Sequence, residues 1–299
     1  MDVASPELLE DVAVVQQRVE ARLKSVDRIV TVMSGKGGVG KSAVAVNLAV
    51  ALAQADHRVG LLDADLHGPS VAKMLGLRGQ PVRLRPETAS GEYALQPIAG
   101  PLGLLVQSMD FFLQGNQALD WDGASGEGAT LLSAMEQAAL ADLLGQTAWG
   151  DLDILVIDLA PGSDRLPALT RWLPRKVGAL AVTIPTQVAM LTVERSLRRA
   201  HAAGIPVIGL VENLSSSVCG SCGAEGPLYP EASIDGLASN AAVEVVARIP
   251  FDPALAEAAD AGRVFLEGAG ARSVAGRALL GLADSIATWE PPGPEGESW

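Results

Sequence analysis

Apolar residues along this chain follow two patterns, and the two alternate. Short, nearly uninterrupted runs of aliphatic and β-branched residues stand at 28–34 (RIVTVMS), 58–65 (RVGLLDAD), 152–160 (LDILVIDLA), 177–185 (VGALAVTIP), 205–213 (IPVIGLVEN) and 245–250 (VVARIP). Runs of that length and hydrophobicity predict strands buried on both faces. Between them, residues 41–55, 130–144, 191–203 and 253–262 read as helices. Strand and helix alternating at this spacing predict an α/β fold, a doubly wound and mostly parallel sheet with helices on both faces.

The ends read differently. Leu8, Val12, Val15, Val19 and Leu23 recur at helical spacing behind a Ser5-Pro6-Glu7 start, which predicts a short leader helix within 1–27. The main domain then spans 28–289. Inside it, 79–128 is irregular and rich in Gly and Pro, and is read as a hairpin and loops laid over the sheet's edge. The ending EPPGPEGESW, 290–299, has the composition of a disordered tail.

Composition narrows the partners. The 299 residues are 48% hydrophobic, ample for one large core. A formal net charge of −13 opposes attraction to a nucleic-acid backbone and to anionic lipid, so neither nucleic acid nor membrane is expected as a partner. The opening MDVASPELLEDVAVV is acidic and polar, unlike a secretion signal, and no apolar run approaches the roughly 18 residues of a spanning helix. A cytoplasmic location is the expectation. Two cysteines, Cys219 and Cys222, exclude a disulfide scaffold and leave metal, redox chemistry or chance.

The stretch GKGGVGKS, 35–42, fits G-x-x-x-x-G-K-[ST] and lies directly between a predicted strand and a predicted helix. Gly35, Gly37, Gly38 and Gly40 let the backbone N–H groups, Val39 included, turn inward around a β-phosphate. The helix start at Lys41, Ser42 and Ala43 adds a positive dipole, Lys41 adds a point charge, and the Ser42 hydroxyl is a ligand for Mg²⁺. ATP with Mg²⁺ is the ligand this predicts; a ligand-free glycine turn is the bland alternative. Two other strands end in carboxylates, Asp63 and Asp65 in LLDADLHGPS and Asp158 in VIDLAPGSDR. Ligands of open α/β sheets sit at those strand ends, so Asp158 and Asp63 are assigned to the metal shell and Asp65 to the attacking water. Solvated strand-end aspartates are the alternative. His67 reads as a surface residue of its loop, and Asn213 as either a reader of the adenine edge or a strand-end turn residue. Lys36 is left over, since one lysine suffices for one nucleotide.

Lys36 within G-K-G-G-V-G-K-S resembles the deviant phosphate loop of dimeric nucleotidases that include MinD, ParA, the arsenical and tail-anchored-protein ATPases and the nitrogenase iron protein. The resemblance implies a homodimer, with Lys41 serving its own nucleotide and Lys36 acting catalytically on the partner's. Within that group, DADLHGPS (Asp63, Asp65, Gly68, Pro69, Ser70), VENLSSSVCGSCG (Asn213, Ser215, Cys219, Cys222) and IPFDPALAEAADAGRVFLE resemble the Mrp/ApbC family of iron–sulfur cluster carriers, over nearly the whole chain from Arg28 to about Glu267. Such a protein is an ATPase that passes clusters to client apoproteins. Two thiolates hold one edge of a metal site but cannot complete four-coordination, whereas two chains of the implied dimer supply four around one bridging [4Fe–4S] cluster. A zinc bridged the same way and a thiol–disulfide couple stay open.

The chain departs from the family where D-x-P-P-G-T-G-D becomes Asp158, Leu159, Ala160, Pro161, Gly162, Ser163, Asp164 and Arg165, and where W-R-G-P becomes a stretch with Asp122 and Ala124. Nucleotide binding is expected to survive and hydrolysis to be slow, because that loop is the expected switch element. Two other classes remain: a non-hydrolysing, nucleotide-switched scaffold, and a MinD- or ParA-like positioning ATPase. The latter needs a basic surface or basic amphipathic end that this sequence does not carry.

Overall fold

The middle of the sheet is β1 (Val26–Met33), whose Ile29, Val30 and Val32 are wholly buried. The computed structural model describes residues 6–87, 93–113, 128–218, 222, 224–229 and 233–291; for 6–11, 128–134 and 218 the backbone alone is considered. The other strands are β2 (Val59–Ala64), β3 (Arg83–Pro86), β4 (Tyr93–Gln96), β5 (Ile98–Ala99), β6 (Leu105–Ser108), β7 (Leu152–Leu159), β8 (Val177–Thr183), β9 (Val207–Val218), β10 (Glu225–Gly226) and β11 (Val245–Phe251). The helices are α1 (Pro6–Leu23), α2 (Lys41–Gln54), α3 (Val71–Met74), α4 (Gly128–Gln146), α5 (Arg165–Thr170), α6 (Gln187–Ala202), α7 (Asp235–Asn240), α8 (Pro253–Ala261), α9 (Ala269–Arg272) and α10 (Val274–Thr288).

Across the main sheet the order is β5, β6, β2, β7, β1, β8, β9, with β10 and β11 both on the far side of β9. Pairings from β6 to β11 are parallel; only the short end strands β5 and β10 run antiparallel. The doubly wound α/β architecture read from the alternation is therefore the observed one. β2 and β6 lie to one side of β1, and β8, β9 and β11 to the other. The loop leaving β1 thus opens where the winding reverses, the place at which such sheets bind ligands.

Side chains alternate across each strand, so each strand feeds two cores. Val30, Val32, Ile154 and Val156 pack beneath α2 and α10. Ile29, Met33, Leu155 and Ile157 pack on the opposite face, against α1, α4 and α6. α1 belongs to that second layer: Val19 and Leu23 are fully buried and Arg22 Nε donates to the Gly145 carbonyl at 3.1 Å. The boundary expected after residue 27 falls inside β1.

Four further differences separate the structure from the sequence reading. The 79–128 region contains the expected hairpin, β3 with β4, but also β6, which joins the main sheet beside β2. α6 starts at Gln187 and not at 191, because the Thr186 side chain caps it by accepting from Ala189 N–H at 3.3 Å. β9 runs past 213 to Val218, since β11 continues to pair with it as far as Ser217. α10 is a helix the apolar runs above leave unassigned, although Ala275, Leu279, Leu282 and Ile286 recur at helical spacing and are buried. The expected tail, from 292 onward, lies outside the described residues, and none of the described helices is long and apolar enough to cross a membrane.

Candidate functional site

The loop between β1 and α2 is held by close backbone approach. Gly38 and Gly40 take positive φ of 78° and 81°, a region open to glycine at little cost. A Cβ on Gly35 would fall 2.2 Å from the carbonyl carbon of Thr192 in α6, so no larger residue fits there. Ser34 Oγ donates to the Lys36 carbonyl at 3.0 Å, and Asn213 Nδ2 donates to the Val39 carbonyl at 2.8 Å from beneath the loop. α2 begins at Lys41 with no side chain capping it, which leaves the first N–H groups of the helix available to an anion.

β2 and β7 lie in a register that sets Asp63 directly beside Asp158, and the two carboxylates behave differently. Both are fully buried. Asp158 Oδ1 accepts from the Lys41 ammonium, which in turn lies 3.3 Å from Ser42 Oγ; Asp158 Oδ2 has no hydrogen-bond partner among the described residues. Burial pushes the Asp158 carboxyl up, with Lys41 and Ser42 opposing the shift. Asp63 is pushed up to about 7 by burial and by the neighbouring Asp158 charge. Its oxygens are taken by the segment that follows and by β6: Oδ1 accepts from Asp65 N–H at 3.2 Å, and Oδ2 from Ser70 N–H at 2.9 Å, Val71 N–H at 3.1 Å and Ser108 Oγ at 3.2 Å. In this structure Asp63 therefore shapes a loop. A buried carboxylate oxygen without a donor, next to a serine hydroxyl, is what a divalent cation and its water shell would complete. Asp158 and Ser42 fit Mg²⁺ on that ground.

A cleft of about 240 Å³ opens above these groups, lined by Lys36, Lys41, Ser42, Asp65, Ser70 and Pro161 among others. Among the described residues Lys36 forms no ion pair, while Asp65 Oδ1 accepts from Gly68 N–H at 3.1 Å. The structure thus brings the loop, both lysines, Ser42, Asp65 and Asp158 together. It turns the Asn213 amide nitrogen onto the loop, so contact with a base would require that bond to be exchanged.

The segment after β7 departs from the family pattern, and the two charges it gains, Asp164 and Arg165, are both paired. Gly162 N–H donates to the Ser34 carbonyl at 3.0 Å, Asp164 pairs with Arg199 of α6 at 2.6 Å, and Arg165 pairs with Glu136 of α4. The other oxygen of Glu136 accepts from His67 Nε2 at 2.5 Å, so His67 is an exposed residue of its loop, as expected, and is engaged as well. Burial alone would raise the Glu136 carboxyl, but the hydrogen bonds from His67 and Arg165 outweigh it and hold it below the ordinary range. Glu136 is the functional candidate that sequence reasoning missed; its signal is a lone acid within the apolar run LLSAMEQAAL. Behind this segment lies a cavity of about 600 Å³ with an apolar floor of Leu66, Leu159, Leu169 and Trp172, where Trp172 Nε1 is buried without a partner among the described residues.

The cysteine region is built otherwise. β9 and β10 pair antiparallel with Val218 opposite Glu225, and Cys222 stands in the connection between them as an exposed free thiol. Cys219 lies outside the described residues, as do Asp122 and Ala124. Among the described residues no group of three or more His, Cys, Asp or Glu could hold a metal ion.

The family described as the NUBPL iron-transfer P-loop NTPase, of the ParA group, matches residues 25–287. An iron-sulfur cluster carrier protein of Saccharolobus solfataricus is 36% identical over 258 residues, covering 86% of this chain and 82% of its own. One from Haemophilus influenzae is 35% identical over 267 residues, 89% of this chain and 67% of its own. Among solved structures, a nucleotide-binding protein of Archaeoglobus fulgidus in complex with ADP superposes with a TM-score of 0.68 at 33% identity, covering 83% of this chain and 92% of that one. MinD of Aquifex aeolicus superposes at 0.57 with 18% identity, over 89% of this chain and 98% of its own, a likeness of fold.

Proposed function

This chain belongs to the ParA-group family of iron-transfer P-loop NTPases that includes the iron-sulfur cluster carrier proteins, and from that premise we propose that it binds and slowly hydrolyses ATP as a homodimer carrying a bridging [4Fe–4S] cluster to apoproteins. The observation that carries the nucleotide half is Asp158, wholly buried, with one oxygen on Lys41 and the other unpartnered among the described residues, beside an uncapped helix start. In this reading the loop N–H groups and Lys41 hold the phosphates. Ser42 and Asp158 hold Mg²⁺, which when bound neutralises charge on the β- and γ-oxygens. Asp65, in the same cleft, orients the water that attacks the γ-phosphorus as the bond to the bridging oxygen breaks. Lys36, unpaired among the described residues, reaches the partner's nucleotide. A base contact by Asn213 belongs to the nucleotide-bound state only.

The cluster is cargo in this reading. Two cysteines per chain supply half of a four-thiolate set, so the cluster bridges two chains through Cys219 and Cys222 of each. The test is anaerobic reconstitution with iron and sulfide, reading iron, acid-labile sulfide and particle mass for the wild type and Cys222→Ala. About four irons and four sulfides per dimer, lost in the variant, is the expected result. Zinc, or no metal on an intact dimer, would sink the carrier reading. A non-hydrolysing scaffold is the second reading, favoured by the replaced residues Asp164 and Arg165. Phosphate release measured beside ADP affinity separates the two.

A further inference from the structure

We propose that Glu136 is a positioning residue that clamps the loop carrying Asp65 to the loop that follows Asp158, so that the two strand-end loops move as one body. The proposal rests on the nucleotide-hydrolysis reading above.

Glu136 is 9% exposed, on a helix that is otherwise mostly apolar. A carboxylate is costly to bury unless each oxygen finds a donor, and here each finds one on a different loop. His67, on one oxygen, stands two residues beyond Asp65 in a turn closed by the bond from Gly68 N–H to the Asp65 carboxylate. Arg165, on the other, opens α5 just beyond Gly162, whose N–H is tied to the Ser34 carbonyl at the root of the phosphate loop. The contacts span 69 and 29 residues of sequence, so the link is tertiary and not a property of either loop. If one loop shifts without the other, a charge-assisted hydrogen bond breaks and leaves a largely dry carboxylate half-satisfied. The charges balance locally, since Asp164 beside Arg165 has its own cation in Arg199. An aspartate at 165, as in the family pattern, would face Glu136 with like charge; the basic residue found there is matched to this acid.

Glu136 lines the cavity behind the loop and not the nucleotide cleft. Its loss should therefore loosen the alignment of Asp65 with Asp158 without removing any group that binds phosphate. In the full chain, Glu136→Gln is expected to lower kcat for phosphate release about tenfold while KM for ATP stays within about twofold. Amide exchange at Gly68 and Gly162 should accelerate together by about tenfold, and Arg165→Gln should reproduce both effects. A general folding defect would instead raise exchange in β1 and β7 and lower nucleotide affinity. Unchanged kcat in Glu136→Gln, or faster exchange at one glycine alone, overturns the clamp. If the wild type releases no phosphate yet both glycines respond together, the hydrolysis reading fails and the clamp stands.

Discussion

The phosphate loop and the cysteine connection both grow from strand ends of the same sheet, yet one is closed by its own chain and the other faces outward. Lys41 is 6% exposed and locked to Asp158, and the loop is braced from below by Asn213 and from the side by the close packing of Gly35 on α6. Cys222 is exposed, free and carried beyond the pairing of β9 with β11. A single chain's backbone can enclose a phosphate and a divalent ion, because N–H groups, one lysine and one carboxylate suffice. It cannot enclose a four-thiolate cluster with two cysteines. Nucleotide binding in the first region should therefore be indifferent to protein concentration, with only the Lys36 step needing a partner, whereas the cluster in the second should depend on it.

The largest expected effect tests the closed region. Lys41→Ala removes a buried cation and leaves Asp158 with neither oxygen paired, so nucleotide affinity should fall at least about a hundredfold in equilibrium titration. Iron bound after reconstitution should not change. Loss of iron along with nucleotide would mean the two regions are not independent. The converse is Cys222→Ala, in which bound iron should fall about tenfold or more while ADP affinity stays within about twofold, for no described contact joins this exposed thiol to the cleft. Dilution of the reconstituted wild type at constant free ADP should also release iron but not nucleotide. Release of both together would break the comparison.

A smaller effect lies within the buried region and depends on pH. Asp63 titrates at about 7 in the fold, above its ordinary value of 3.8. The native state therefore holds a proton that the unfolded chain has released between those values. Stability from this group is full below the unfolded value and is lost as pH rises through the folded one. From about pH 5 to about pH 6, wild type should lose on the order of 1 kcal/mol relative to Asp63→Asn in urea unfolding, because the amide stays neutral. A flat difference would show that the donors Ser70, Val71 and Asp65 hold Asp63 ionised.

The two regions also differed in how much could be read beforehand. The phosphate loop is local: glycines at fixed places, a strand before and a helix after, all within one short segment of sequence. Its fold context was legible for the same reason, since buried parallel strands such as β7 and β8 are short apolar runs. β6 was not, because four residues within a Gly- and Pro-rich stretch carry no periodicity and become a strand only by lying beside β2. Glu136 and His67 were illegible as partners because their meeting is set by how α4 packs at the end of β2. Asp63 and Asp158 look alike in sequence. Only the loop donors that surround one and spare the other separate a structural carboxylate from one with an open oxygen.

The smallest predicted effect sits where the two regions share a strand. β9 carries Asn213, which holds the phosphate loop, and five residues later ends at Val218, next to Cys219. Asn213→Ala removes the donor to the Val39 carbonyl but leaves the ladder bonds of β9 with β8 and β11 intact. An unpaired backbone acceptor at that depth costs about 1 kcal/mol, which corresponds to roughly fivefold weaker ADP binding if the loop alone absorbs it. Iron content should then be unaltered, because a rigid strand transmits no displacement from a lost side-chain bond on one face. Should iron binding change as well, β9 would be the element through which nucleotide occupancy reaches the cysteines. The independence argued from Lys41 and Cys222 would then hold only for the apo chain.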